Sequence, residues 1–132
     1  MMKTDIDIKD DIYAHIKVSK LAKSVTGKIR KTLRPMNSNK EDIVISVVAN
    51  VNGQIQEAVV NVNIYVKDII RDNQAEENSQ RLRTLCQLAE EALKVGRGDN
   101  YRFVLESQRV MALDKSDEHI INNRLSYKTN NE

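Results

Sequence analysis

Between Ile43 and Val66 two runs of β-branched residues alternate with small or polar ones. Ile43-Val-Ile-Ser-Val-Val48 and Val59-Val-Asn-Val-Asn-Ile-Tyr-Val66 lie on either side of Asn52-Gly53. A period of two marks a half-buried strand, and Asn-Gly favours a type I′ turn because both central residues need positive φ. A two-residue loop at Asn52-Gly53 sets Ile45 opposite Val60, Ile43 opposite Val62 and Val47 opposite Ala58. Ile64 and Val66 continue that apolar face, while Val44, Ser46, Glu57, Asn61 and Asn63 form the other. A hairpin with a single apolar face has to be covered, so the rest of the chain is expected to fold around it.

Upstream, residues 10 to 24 predict a helix. Ala14, Val18, Leu21 and Val25 make one stripe at helical spacing and Ile12, Tyr13 and Ile16 a second, which predicts a short helix or a bend near Ser19. Gly27 ends it, and residues 28 to 34 read as a strand running into Pro35. Residues 36 to 42 are a polar loop. Downstream of Val66 the chain turns polar; Asn73 with Glu76 three residues on fits a capping box, with Ser79 as a later start. The second helix is the clearer one: Leu82, Leu85, Cys86, Leu88, Ala89, Ala92 and Leu93 share a side, and Gly96 and Gly98 stop it. Two closing strands follow, over residues 101–113 with Tyr101, Phe103 and Leu105 on one side, and over residues 119–127 with Ile121, Leu125 and Tyr127 together.

The predicted order is α-β-β-β-α-β-β. A helix following consecutive antiparallel strands packs across the sheet, giving a two-layer α+β domain whose antiparallel sheet of four to five strands is covered by the second helix, with an additional N-terminal helix. Residues 1–9 are expected to be a flexible lead-in, 10–127 a single domain and 128–132 a disordered tail.

The chain of 132 residues is 40% apolar and 30% charged, which fits one ordinary globular domain. No apolar run is long enough to span a membrane. The start is acidic and has no apolar signal-peptide region, and the single cysteine excludes an internal disulfide, so a reducing, intracellular setting is expected. Charge is uneven. Residues 1–42 carry ten Lys/Arg against six Asp/Glu, and Lys17, Lys20, Lys23, Lys28, Arg30, Lys31 and Arg34 run without an acid among them. Such a run is either a solvated face or a phosphate-facing patch.

No catalytic or cofactor motif accompanies this pattern. Asp114-Lys-Ser-Asp-Glu-His119 groups ligand-type side chains, but in a polar turn of the kind expected between two strands. His15 stands alone, and Cys86 lies on the apolar stripe of the second helix, as a small core residue would. Arg97-Gly98-Asp99 at a helix end reads as a turn, and the four glycines are scattered instead of forming a phosphate loop. No catalytic residue, metal or cofactor is predicted. The outer face of the hairpin, with Val44, Val48, Val59 and Tyr65, points instead to a subunit contact or to a covering element.

The segment Gly27-Lys-Ile-Arg-Lys-Thr-Leu-Arg-Pro-Met-Asn-Ser-Asn-Lys-Glu-Asp-Ile-Val-Ile45, followed by Val60-Asn-Val-Asn-Ile-Tyr-Val66, resembles the tail-completion (tail terminator) and neck, or head-tail joining, proteins of tailed bacteriophages and prophages. The order of elements matches from about Asp10 to Tyr127, with Arg30 where an aromatic is common in that group. The resemblance implies a structural, non-enzymatic virion assembly protein. It would be a homo-oligomer, typically a hexameric ring, that caps the tail tube, offers the head connector a docking surface and lets DNA pass without reading its sequence. It would assemble in the host cytoplasm and end in the virion, with no membrane. Lys28, Arg30, Lys31 and Arg34 are the basic positions chosen for a channel-facing or partner-facing surface. The alternative reading is a small monomeric nucleic-acid-binding α+β domain using the Lys17–Arg34 run.

Overall fold

In the computed structural model, which describes residues 2–130, the hairpin is present but its register differs from the one Asn52-Gly53 implies. Strands β2 (Ile43–Val51) and β3 (Ile55–Lys67) pair Ile43 with Ile64, Ile45 with Val62 and Val47 with Val60. The offset is two residues. Neither Asn52 nor Gly53 takes a positive φ, the connection spans residues 52–54, and a bulge between Val47 and Ala49 absorbs the extra residue. Register is held along the other edge of β3, where all thirteen of its residues pair antiparallel with β8 (Glu118–Asn130), from Ile55 opposite Asn130 to Lys67 opposite Glu118. A slip of two keeps each side chain on its face. Ile43, Ile45, Ala58, Val60, Val62, Ile64 and Val66 are therefore buried together, as the alternation predicts.

The main sheet has six strands in the order β1-β2-β3-β8-β7-β6. It is antiparallel except for β1 (Ile29–Arg30), which runs parallel to β2. The strand expected over residues 28 to 34 is thus only two residues long. β7 (Tyr101–Ala112) lies beside β8, and β6 (Val95–Arg97) adds an edge strand where Gly96 was read as a helix stop. The polar stretch after Val66 is not a helix start. It folds as a second, two-stranded ribbon, β4 (Ile69–Arg71) with β5 (Gln74–Glu76), turning through Asp72 and Asn73 at φ 52° and 62°. Both positive values belong to a type I′ turn, so Asn73 closes a hairpin instead of capping a helix.

Two longer helices cover one face of the sheet. α1 (Asp5–Ile16) begins five residues earlier than its sequence pattern implies, because Thr4 and Asp7 form a reciprocal capping box. Its buried stripe is Ile8, Ile12 and Ile16, while Ala14 and Val18 of the competing stripe are exposed. The chain breaks at residues 17–19 and restarts as α2 (Lys20–Ser24), with Ser19 as its cap, which is the bend expected near that residue. α3 (Ser79–Leu93), capped by Asn78, buries Leu82, Leu85, Ala89 and Leu93. The result is a two-layer α+β domain with its core between the helices and the inner face of the sheet.

Buried polar groups on that inner face are paired, as burial demands. The Gln56 side chain clasps the backbone of Lys3, accepting from its N–H at 2.9 Å and donating to its carbonyl at 2.8 Å. The Lys3 ammonium meets Asp11 at 2.6 Å and Tyr127 Oη at 3.0 Å, above the stacked rings of Tyr101 and Tyr127. The segment read as a flexible lead-in is anchored from Lys3 onward. At the other end β8 continues to Asn130, beyond the expected boundary at Tyr127, and residues 131–132 of the tail lie outside the described residues.

Gly96 is required by packing. A Cβ there would stand 2.1 Å from the ring of Phe103, its cross-strand partner, which is fully buried. Gly96→Ala is expected to lower stability by about 1–3 kcal/mol through overpacking, read as a fall in the urea midpoint at unchanged slope. An unchanged midpoint would show that β6 yields freely.

Candidate interaction surface

The acid-free run from Lys17 to Arg34 is tied down by two adjacent acids that follow it. Asp42 is 1% exposed and takes bonds from the Lys28 backbone N–H at 2.9 Å, the Ser38 hydroxyl and Arg34 Nε at 2.8 Å. Its carboxylate also lies against Gly27, where a Cβ would come within 2.2 Å of Oδ1. Arg34 reaches on to Glu118, donating from both terminal nitrogens at 2.9 and 2.7 Å, and its guanidinium lies 4.2 Å above the Tyr65 ring. Glu41 receives Arg81 of α3 twice at 2.7 Å and is bonded to Thr26. Together these contacts fasten the 26–42 segment to α3, to β3 and to the start of β8.

The four basic positions chosen from the sequence therefore differ in what they can do. Arg34 is a half-buried clamp. Lys31 is paired to Asp10 at 2.8 Å and lies 5.0 Å from the Tyr13 ring. The side chains of Lys28 and Arg30 have no hydrogen-bond or ion-pair partner among the described residues, so they remain available to a partner. The Asp114–His119 group is dispersed: Glu118 serves Arg34 and His119 Nδ1 lies 2.6 Å from Asp68. Among the described residues, no three His, Cys, Asp or Glu side chains are grouped to hold a metal. His15 links helix and sheet, with Nε2 3.0 Å from the Ala92 carbonyl and its ring edge-on to Phe103. Cys86 is half-buried on α3, and burial raises its thiol pKa.

A second surface is the sheet face turned away from the helices. Across β2, β3, β8 and β7 its central rows are polar apart from Val44, with Ser46, Asn61, Arg124 and Ser107 in one and Val44, Asn63, Asn122 and Arg109 in the next. The Asn122 amide donates to Asn63 at 2.7 Å. Lys128 and Arg102 lie side by side further along, Lys128 facing Glu57 at 3.7 Å. Arg102, Arg109 and Arg124 have no ion pair among the described residues. Part of this face is readable from the alternation of β8. Arg109 is not, because a bulge between Leu105 and Ser107 reverses the alternation of β7; Gln108 then points inward to Asn123 and to the Cys86 carbonyl, and Arg109 points outward.

The clamp makes stability sensitive to acid. Bonds from Arg34 hold the Glu118 carboxyl below its usual range. For Asp42, burial pushes upward, but Ser38, Lys28 and Arg34 outweigh it and the carboxyl ends below its ordinary value. Groups lowered in the folded state contribute fully above their unfolded values, about pH 4–5, and lose that contribution as pH falls through the folded ones. Arg34→Met leaves both carboxylates without their cation, Asp42 still bonded by Lys28 and Ser38 and Glu118 by Ser116, and is expected to cost about 1–3 kcal/mol at pH 7. The gap to the parent chain should narrow below about pH 4 as both carboxyls protonate. Urea melts at pH 7 and pH 3 check this; a gap independent of pH would mean that Arg34 acts through packing on Tyr65 alone.

No family model matches this chain, nor does any curated protein. Among solved structures, it is similar to a chain described as "Virion of native gene transfer agent (GTA) particle". The TM-score is 0.59 at 11% sequence identity, over 93% of this chain and 94% of that one. At that identity the likeness is one of fold, and it extends over nearly the whole of both chains.

Proposed function

We propose that this protein is a structural component of a phage-type virion, acting at the tail end as a tail terminator or neck protein. The observation that carries the reading is the fold shared almost end to end with a chain from a gene transfer agent particle. The resemblance of residues 27–45 and 60–66 to tail-completion proteins points the same way. In this reading copies of the chain, six by that resemblance, form a ring that caps the tail tube and docks to the head connector, and DNA passes without sequence-specific contact. Assembly takes place in the host cytoplasm, and the product stays in the virion. The chain has no catalytic role here, and Lys28 and Arg30 are the members of the chosen basic set left to meet a partner. The alternative, a monomeric nucleic-acid-binding domain using the Lys17–Arg34 run, is weakened by the pairing of Lys31 and Arg34 within the fold.

Purified, salt-washed particles from a strain producing the protein with an epitope tag test the reading directly. Immunogold is expected at the head–tail junction and nowhere along the tail, with the chain retained through gradient purification. Its absence from washed particles, or label spread over capsid or tail shaft, would sink the proposal.

A further inference from the structure

The β4–β5 ribbon shares no strand pairing with the main sheet, and only Ile69 and Ala75 of it are half-buried. Two-stranded hairpins are marginal in water unless they pack on something. Here no side chain of residues 69–77 is hydrogen-bonded or ion-paired to any other part of the molecule among the described residues. Ile70 is 58% exposed. Yet the ribbon is built, not slack: its turn has the paired positive φ angles of type I′ at Asp72 and Asn73, and Arg71 faces Glu76 at 3.3 Å across the strands. With Arg71 and Glu76 facing each other, Asp72 and Glu77 are the carboxylates left unpaired, so the arm offers a net negative charge beside an exposed isoleucine.

The open sheet face offers the reverse. Lys128 and Glu57 face each other, Glu106 lies at the β7 bulge, and Arg102, Arg109 and Arg124 remain without an ion pair. Met111, 39% exposed, follows Arg109 on the same side of β7. We propose that the β4–β5 arm of one copy docks on the open sheet face of the next, Asp72 and Glu77 against Arg109 and Arg124, and Ile70 against Met111. Arm and face are different surfaces of the same chain, so the contact is heterologous and repeats head to tail, closing a ring when the rotation between copies allows it. This deepens the assembly reading above and rests on it for its biological setting, but it concerns the isolated protein and fails separately from the location of the chain in particles.

Charge reversal with mixing is the test, read as mass by light scattering across protein and salt concentration. The parent chain is expected to self-associate, less so in high salt. D72K/E77K and R109E/R124E, all at exposed positions, should each weaken association more than about tenfold, since like charges then meet across the contact. Mixing the two variants should restore assembly, because each reversed arm finds a reversed face and each original arm an original one. A parent chain that stays monomeric at its solubility limit overturns the proposal, as does association indifferent to both reversals or a mixture that does not recover. Salt-dependent binding to duplex DNA that R109E/R124E abolishes while self-association is unchanged would assign the face to nucleic acid and also overturn it.

Discussion

A strand bonded to neighbours along both edges cannot slide without undoing two ladders at once, and β3 is in that position. Its thirteen residues pair with β8 over their whole length and with β2 over most of it. A slip by one residue would turn Val60, Val62 and Ile64 to solvent and bring Asn61 and Asn63 under the helices. At about 1.5–3 kcal/mol for each large apolar side chain, that reversal costs about 5–9 kcal/mol, comparable to the whole stability of a domain. The core on which α1 and α3 rest is therefore fixed by β3, and the irregular features fall where it allows them. The bulges lie on β2 and β7, between Val47 and Ala49 and between Leu105 and Ser107, while β3 and β8 run unbroken between them.

The same constraint explains what could be read from the sequence. Parity along β3 is insensitive to the turn, so the buried set Ile43, Ile45, Ala58, Val60, Val62, Ile64 and Val66 is legible although the pairing implied by Asn52-Gly53 is two residues off. α3 is legible because its apolar stripe is unbroken. The start of α1 is not legible because Ile8 sits among Asp5, Asp7, Asp10 and Asp11, a stretch that looks like a solvated tail until the capping box and the Gln56 clasp on Lys3 are seen. The β4–β5 ribbon is hard to read for a related reason: Asn suits a helix cap and a left-handed turn position alike, and Glu76 three residues on fits the former, although the later start at Ser79 is the one α3 takes.

Charge was the least legible property. A run of seven Lys/Arg without an acid resembles a surface patch, yet the acids that answer its members lie outside it: Asp10 before it, Asp42 just after it and Glu118 far along the chain. Arg34 thereby becomes a half-buried fastening. Of the arginines without an ion pair among the described residues, Arg102, Arg109 and Arg124 share the open sheet face from two paired strands, and one of them reaches that face only because β7 is bulged. No local window shows such a set, since neighbours on a sheet face are neighbours through pairing.

What the fold leaves uncovered then bears on what it is for. All three helices lie on one side of the chain's sheet or at its margin, and none crosses the face bearing Asn61, Asn63, Asn122 and Arg124. An exposed sheet face in a small domain is ordinary when it is polar, and the central rows are. The rows flanking them are less so: Val59 and Val104 lie on one side and Met111 on the other, where Ile120 is already buried and Tyr65 lies under Arg34. Exposed Val104 and Met111 beside a basic polar band, together with a preformed ribbon that no strand pairing joins to the main sheet, fit two halves of one interface. In a chain that repeats around an axis, as proposed, every copy would use both.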